Sequence, residues 1–217
     1  MLAVVSTTMT RAALGRTYAG QAIADRQKER RARFLESALT IFAQDGYSNS
    51  SVGAICRAAG LSSRQFYEEF SGREDVLVEL FQNIEAESMA AVADAVAQAG
   101  GRGIEAVIQA ATRAYIQSVA SDPRRARVGL VEVVGASPRV EEVRLDQRKV
   151  WAQMVLGIAQ HAAESGEIPS GDYAIRVSAV IGAINYVVYD WSVADPKPDI
   201  ETVISVLSRS LIGAMAS

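Results

Sequence analysis

The feature that most constrains the fold of this chain is the scarcity of strand signals. Ala, Glu, Arg, Gln and Leu dominate, and no clear hairpin dipeptide separates runs of alternating apolar and polar residues. Apolar residues instead recur at helical spacing, as at Phe34, Ala38 and Phe42. We therefore predict an all-α protein.

Glycine and proline divide the chain into about nine predicted helices. Gly46 and Gly60 end the first two, because glycine readily adopts the left-handed conformation that closes a helix. Residues 1–25 show little periodicity, and we expect a mobile extension there. A small domain is expected over residues 26–75 and a larger helical domain over 76–217. After Gly100-Gly101 the predicted helices cover approximately residues 104–120, 123–135, 140–165, 173–193 and 200–216.

The stretch GLSSRQFYEEF carries the most local information. Ser62 is placed to cap a helix, and Gln65, three positions later, is placed to complete a capping box. Leu61 before the cap can pack on Phe66 after it as a hydrophobic staple. Both the start and the direction of this short helix are therefore fixed by sequence.

Phe66 and Phe70 lie four positions apart and face the core together, which turns Ser63, Arg64 and Tyr67 outward. A shorter helix over Val52 to Ala59 precedes this one across the tight turn at Gly60. Two short helices joined in this way make a helix-turn-helix, whose second helix can enter the major groove of DNA. An ordinary helical corner remains an alternative on geometry alone.

The charge is divided unequally along the chain. Residues 1–67 contain nine Lys and Arg against four Asp and Glu, whereas residues 68–217 contain thirteen against twenty-one. Five of the positive charges lie between Arg26 and Arg33. A basic segment ahead of an acidic body favours a polyanion partner for the N-terminal part, although a solvated helix face is the alternative.

Residues Arg33 to Phe81 resemble the N-terminal domain of TetR-family transcriptional regulators. The family pattern is matched at Ala38, Phe42, Gly46, Tyr47, Val52, Ile55, Ala59, Gly60, Ser62, Tyr67, Phe70, Glu74 and Leu77. The resemblance implies a homodimer whose two recognition helices read a palindromic operator in double-stranded DNA. It also implies a larger helical domain that binds a small molecule, so that the expected function is a ligand-released repressor.

The resemblance assigns DNA-contacting roles position by position. Ser50 or Ser51, Tyr67 and Arg73 are expected on phosphates, and Arg64 and Gln65 on base edges, with Arg64 ranked first. The basic run, including Arg30 and Arg31, is expected to act as an arm along the duplex, although a solvated segment is nearly as plausible. The complete candidate set is Ser50, Ser51, Ser62, Ser63, Arg64, Gln65, Tyr67, Arg73, Arg30 and Arg31.

Two further sets of candidates lie in the larger domain, and each member is alternatively ordinary core. Large or polar residues within apolar helices are candidates for a ligand pocket, and its apolar character favours a hydrophobic effector. Apolar stripes on the last two predicted helices are candidates for a dimer seam. The pocket set is Tyr115, Trp151, Met154, His161, Asn185 and Tyr186, and the seam set is Val177, Ile181, Ile184, Val188, Val203, Leu207 and Leu211.

Other function classes find little support. One His and one Cys, with no nucleotide loop, catalytic triad or metal motif, leave no chemistry for an enzyme, so we expect neither catalysis nor a cofactor or metal. A helical enzyme and a constitutive DNA-binding protein without effector remain the alternatives. No apolar stretch approaches the length of a membrane span, and the N-terminus lacks the pattern of a secretory signal, so we expect a cytoplasmic protein.

Overall fold

A computed structural model describes the backbone from Val4 to Ala216 and the side chains of residues 24–215. Within that range the chain is all-α, as predicted, with nine α-helices, one π-helical segment and no strand. The π segment is Val128–Glu132. The α-helices are α1 (Val4–Asp45), α2 (Val52–Ala59), α3 (Ser63–Glu69), α4 (Arg73–Ala99), α5 (Ile104–Ala120), α6 (Pro123–Arg127), α7 (Pro138–Glu164), α8 (Ala174–Val193) and α9 (Ile200–Ala216).

Two elements differ from the sequence prediction. Helix α1 is continuous from Val4, so it includes most of residues 1–25, which we expected to form an extension before the first helix. Residues 1–3 lie outside the described range, and the mobility of this segment stays a prediction. The helix predicted over residues 123–135 is shorter and changes to π geometry at Val128. The Val133 amide donates to the Val128 carbonyl, five residues earlier. This turn therefore contains one residue more than an α-helical turn.

Three phenylalanines hold the N-terminal helices together. Phe34 of α1 meets Phe66 and Phe70 edge to face, with ring centroids 5.3 and 6.3 Å apart. All three side chains are buried. Burying one such side chain stabilises the fold by about 1.5–3 kcal/mol, so this contact fixes the orientation of α3 on α1.

The same core continues into the larger domain. Val128, Val133 and Val140, which follow α6, belong to the hydrophobic cluster of α1–α4. Helix α4 contributes both to this cluster and to the wall of a cavity beyond it. The N-terminal helices and the larger domain are therefore joined by packing as well as by the chain.

Two smaller hydrophobic clusters build the larger domain. One joins the start of α5, the end of α7, the first half of α8 and the end of α9, and the other joins the end of α5 to the later part of α8 and the start of α9. Between these clusters and α4, the helices enclose the cavity described below.

Candidate nucleic-acid interface and ligand cavity

Helices α2 and α3 form the predicted helix-turn-helix, and local interactions fix both of them. The Ser51 hydroxyl caps α2 by accepting from the Ala54 amide at 3.2 Å. Gly60 ends α2 at φ +62°, a conformation that favours glycine. The Ser62 hydroxyl accepts from the Gln65 backbone amide, and the side-chain oxygen Oε1 of Gln65 accepts from the Ser62 backbone amide, so the predicted capping box is present.

The outer face of α3 carries the side chains that are free to meet a partner. The Arg64 side chain is 91% exposed and Tyr67 is 61% exposed. Ser63 beside them is also exposed. Phe66 on the opposite face is buried, so the helix presents one polar and one apolar side, as predicted.

Other predicted DNA contacts are occupied within the protein. Ser50 is buried, and its hydroxyl donates to the Tyr47 carbonyl at 2.7 Å, which leaves Ser51 as the exposed serine of the pair. The Gln65 side chain is held by Ser62 in the capping box. These two placements count against phosphate contact by Ser50 and base contact by Gln65.

Arg73 serves the loop between α1 and α2 instead of standing free. One guanidinium nitrogen donates to the carbonyls of Tyr47 at 2.6 Å and Ser50 at 2.7 Å. The guanidinium also lies over the Tyr47 ring, 4.5 Å from its centroid. Arg73 therefore ties down the loop between α1 and α2, and its contact with phosphate stays a prediction.

The basic run is also largely committed to internal partners. Arg30 donates to the Glu69 carboxylate at 2.9 and 2.5 Å. Arg31 binds the Glu79 carboxylate, donates to the Glu69 carbonyl at 2.6 Å and lies over the Phe70 ring. These contacts fasten α1 to α3 and α4, and the role of Arg30 and Arg31 as an arm along DNA stays a prediction.

The larger domain contains a cavity of about 440 Å³. Its walls come from α4, α5, the π segment, α7, α8 and α9. Five of the six predicted pocket residues line it, namely Tyr115, Trp151, Met154, Asn185 and Tyr186. His161 does not line it and is exposed on α7, which corrects that assignment. A cavity of this size can bury most of a drug-sized ligand.

The cavity changes in character along α7. Arg144, Gln147 and Arg148 line one end, and Ile158 and Ala159 line the other. Arg144 is paired with Glu141, at 2.5 Å. Arg148 is exposed and has no ion pair within the described side chains. The cavity therefore offers a cationic end and an apolar end.

A carboxyl group lies within the wall between these ends. Glu85 of α4 is buried, and its Oε2 accepts from the Trp151 indole nitrogen at 2.5 Å. Burial raises the pKa of the Glu85 carboxyl above its ordinary value of 4.5, although the bond from Trp151 acts in the opposite direction. Sequence reasoning missed Glu85; the available signal was a carboxylate four positions after Phe81, on the apolar side of a predicted helix.

Tyr115 lies next to this carboxyl group. Its ring meets the Trp151 ring edge to face, with centroids 5.4 Å apart, and its hydroxyl lies 3.4 Å from the Asn185 amide oxygen. Burial, together with the negative charge of Glu85, raises the pKa of the Tyr115 hydroxyl. The hydroxyl therefore stays protonated and able to donate a hydrogen bond.

The predicted dimer seam requires correction. Six of its seven residues are buried within the protomer, and Ile184 packs against two hydrophobic clusters, so this stripe is intramolecular core. The exposed apolar residues of α8 and α9 lie on another face. Ile175 is 83% exposed and Tyr186 is 68% exposed, and Val193 and Val206 are also exposed. Small residues at Ala179, Gly182 and Ala183 lie on this exposed face of α8.

Three polar contacts tie the larger domain to the N-terminal helices. Glu132 of the π segment accepts from the Tyr47 amide at 2.7 Å. Arg124 of α6 binds Glu36 of α1 at 2.6 Å. At the start of α7, Arg139 binds the carboxylate of Asp75 in α4. A hydrogen bond from the Ser71 hydroxyl, together with this ion pair, lowers the pKa of Asp75 to about 2.

Residues 34–80 match the family model described as bacterial regulatory proteins, tetR family. Residues 34–80 therefore carry the N-terminal domain signature of the tetR family. The match covers α2, α3, the part of α1 that begins at Phe34 and the first residues of α4, so it includes the whole helix-turn-helix.

Similarity to known regulators extends along most of the chain. The fatty acid metabolism regulator protein of Bacillus subtilis is 22% identical over 194 residues, which cover 88% of this chain and 97% of the relative. The fatty acid degradation regulator FadR of Bacillus halodurans has a TM-score of 0.78 at 20% identity, covering 85% of this chain and 95% of that chain. FadR of Bacillus subtilis, solved in complex with stearoyl-CoA, has a TM-score of 0.74 at 22% identity, and the match covers 86% of this chain and 97% of that chain.

At these identities the solved structures establish the fold of the larger domain. All three of these proteins are regulators, so they do not support the alternative that this chain is a helical enzyme. No described helix is long and apolar enough to cross a membrane.

Glu85→Gln should stabilise the protein at neutral pH and lose this advantage in acid. The folded protein holds the Glu85 proton more tightly than the unfolded chain, so the stability of the native protein falls as the pH rises from 4.5 through the raised pKa. Glutamine has no such proton to lose. Melting temperatures at one protein concentration, from about pH 4 to about pH 8, measure the effect. A difference between the two proteins that does not change with pH would contradict the prediction, and Glu142→Gln reports the effect of removing an exposed carboxyl.

Proposed function

We propose that the protein is a dimeric DNA-binding repressor that a long-chain acyl-CoA releases from a palindromic operator. The observation that carries this proposal is the presence, in one TetR-domain chain, of an exposed α3 face and an apolar cavity with a cationic end. The ligand class is supported by the stearoyl-CoA that FadR of Bacillus subtilis binds.

Helix α3 is proposed to lie in the major groove with Arg64 at base edges. Arg64 is the longest side chain on the exposed face, and a guanidinium pairs well with guanine. It lies 3.4 Å from Glu68 in the free protein, an exposed pair worth only a fraction of a kcal/mol, so DNA can displace it. Tyr67, Ser51 and Ser63 are proposed to contact phosphates, which position the protein without specifying sequence.

The exposed face of α8 and α9 is proposed to pair with a second copy of the chain. Ile175, Tyr186 and Val206 are large apolar side chains exposed on the neighbouring helices α8 and α9, and exposed apolar surface of this kind supports a protein partner. Gly182 and Ala183 between them permit a close helix approach. A second copy is the partner that the reading of two operator half-sites requires.

The acyl chain is proposed to occupy the apolar end of the cavity, with the anionic part of the ligand near Arg148. Carbon chains gain about 0.8 kcal/mol for each methylene removed from water, so the chain supplies most of the affinity. Arg148 has no internal partner among the described side chains and can attract phosphate at low cost.

The π segment is proposed to pass ligand binding on to α2 and α3. Gly129 and Leu130 line the cavity, and Glu132 in the same segment binds the Tyr47 amide before α2. A ligand that moves this wall therefore changes the support of the helix-turn-helix. By linkage, the ligand weakens DNA binding by its difference in affinity for the two states.

Ile175→Asp should weaken dimerisation by at least about 10-fold, because a charge would be buried in the proposed interface. Sedimentation equilibrium over a range of protein concentrations measures the dissociation constant. Val150→Asp places the same charge on an exposed apolar position of α7 and should leave the mass unchanged. Equal behaviour of the two variants would exclude this face as the interface.

Arg64→Ala should relax base preference at one operator position by roughly 1–3 kcal/mol, since only Arg64 is assigned to base edges. Tyr67→Phe should weaken specific and random DNA alike, because a phosphate contact carries no sequence information. Fluorescence anisotropy with the operator, with single-base variants and with random DNA at fixed salt separates the two effects. Equal weakening of all sites by Arg64→Ala would overturn its assignment.

Palmitoyl-CoA should release the protein from DNA that flanks its own gene, lowering affinity roughly 5- to 150-fold. Free CoA should have no effect, and free palmitate separates a requirement for the thioester from a requirement for the chain. Ala111→Phe fills the cavity and should bind DNA without release, whereas Gln117→Phe, at an exposed position of α5, should behave as the native chain. DNA affinity that no acyl compound changes would favour a constitutive DNA-binding protein.

A further inference from the structure

A groove separate from the ligand cavity lies between α5 and α9, with a volume of about 510 Å³. Thr112 and Tyr115 of α5 line the ligand cavity, whereas Ala110 and Arg113 line this groove, on the opposite side of the helix. We name it the α5–α9 groove. Sites for small ligands have volumes of about 300–1,000 Å³, so the groove is large enough for a ligand of its own.

Short side chains leave this space open between two helices that run in opposite directions. Ala106 and Ala110 of α5 and Ser205 and Ser208 of α9 line the groove. The start of α5 packs with the end of α9 in one hydrophobic cluster, and the end of α5 packs with the first half of α9 in another. The groove therefore has two distinct ends, one beside the start of α5 and the other beside the start of α9.

One end of the α5–α9 groove carries two arginines that no described carboxylate binds. Arg102, in the turn before α5, and Arg209, in the second half of α9, both line the groove and are exposed. The Arg102 side chain has no hydrogen bond or ion pair within the described part of the chain. Arg209 donates from Nε to the Ser205 carbonyl at 3.3 Å, and its two terminal nitrogens have no partner there. This end therefore offers free guanidinium donors to a ligand.

The other end of the groove pairs an arginine with a carboxylate. Both terminal nitrogens of Arg113 donate to Glu201, at 2.5 and 2.8 Å. Glu201 lies eight residues before Arg209, so the two ends are about 12 Å apart along α9. With three arginines and one glutamate, the lining has a net charge of +2. The groove therefore favours an anionic ligand, with its negative group at the Arg102 end.

A buried hydroxyl between these two ends lacks a hydrogen-bond partner. Ser208 is 2% exposed, and its Oγ has no partner among the described residues. It lies on the stripe of α9 that lines the groove, one position before Arg209. Buried polar groups almost always find a partner in native proteins, so an unpaired hydroxyl beside a groove indicates a partner from outside the chain. An oxygen of a ligand in the groove can supply it.

We propose that the α5–α9 groove binds a phosphorylated small metabolite, with its phosphate at Arg102 and Arg209 and its hydroxyl-bearing body directed toward Glu201. Guanidinium groups bind phosphate through pairs of parallel hydrogen bonds, and two of them match its charge at neutral pH. Ser208 pairs with an oxygen of the ligand, and Glu201 accepts from a hydroxyl of its body. The site lies outside the cavity assigned to acyl-CoA, so the inference goes beyond the proposed function and does not depend on it.

Sugar phosphates and nucleoside monophosphates share this chemistry, and isothermal titration of the full-length protein with glucose 6-phosphate and with AMP distinguishes them. In phosphate-free buffer, at least one should bind more tightly than inorganic phosphate, and the tighter one identifies the body as a sugar or a nucleoside. Glucose and adenosine, which lack the phosphate, should not bind.

Arg102→Gln and Arg209→Gln should each weaken binding of the phosphorylated ligand about 10-fold, the loss expected for a charge-assisted hydrogen bond at an exposed site. Both positions are exposed, so the fold should not change. Lys149→Gln removes an exposed positive charge from α7, away from the groove, and is the matched control that should bind as the native chain does.

Ser208→Ala separates ligand binding from a structural role of the hydroxyl. Without ligand, the melting temperature should stay the same or rise, because the substitution removes no internal hydrogen bond. Binding of the phosphorylated ligand should weaken about 3- to 10-fold. A lower melting temperature with unchanged binding would show that Ser208 does not contact the ligand.

Three results would overturn the inference. The first is that neither glucose 6-phosphate nor AMP binds. The second is that inorganic phosphate binds as tightly as both, because the groove would then attract anions without selecting a metabolite. The third is that Arg148→Gln, instead of the two groove variants, removes binding, because the phosphate would then lie in the ligand cavity. The proposed function is tested separately, by the response to palmitoyl-CoA.

Discussion

The Glu132 carboxylate is the contact that links the loop before α2 most directly to the π segment at the cavity wall. One oxygen accepts from the Tyr47 amide at 2.7 Å, and the other binds Arg127 at 2.8 Å. A hydrogen bond to a charged group contributes about 1.5–3 kcal/mol, and this one joins the segment before α2 to a wall of the cavity. The π geometry matters here because one extra residue in the turn sets the direction in which the Glu132 side chain points.

The features that sequence predicted well are those set by neighbours along the chain. The capping box at Ser62 and Gln65 depends on residues three positions apart, and the left-handed turn depends on Gly60 alone. Helix periodicity likewise placed Phe66 on the buried face of α3 and Tyr67 on the exposed face, and it indicated which large residues of the later helices face inward. Five of six candidate pocket residues therefore line the cavity, while His161, chosen for its residue type more than its position, does not.

The sequence did not indicate contacts between residues that lie far apart along the chain. Nothing near Arg30 and Arg31 indicates that Glu69 and Glu79, about forty residues later, neutralise them. Arg73 binds carbonyls of a loop more than twenty residues earlier. The dimer seam failed for a related reason: periodicity identifies an apolar face such as that of Val177 and Val188, but not what covers it.

Helix α8 explains why the predicted dimer seam was wrong, and it also offers the coupling between ligand binding and DNA binding that the proposed function requires. It is apolar on more than one side, with Val180 and Ile181 in the core and Ile175 and Val193 exposed. Tyr186 contacts both the ligand cavity and the outer surface, because it lines the cavity and is also largely exposed on the outer face of α8. A ligand that moves Tyr186 therefore changes the surface offered to a second subunit, and by reciprocity subunit pairing changes the affinity for the ligand. In the proposed dimer the spacing of the two recognition helices depends on how the subunits pair, so we propose this shared wall as a second route, beside Glu132, from the cavity to DNA.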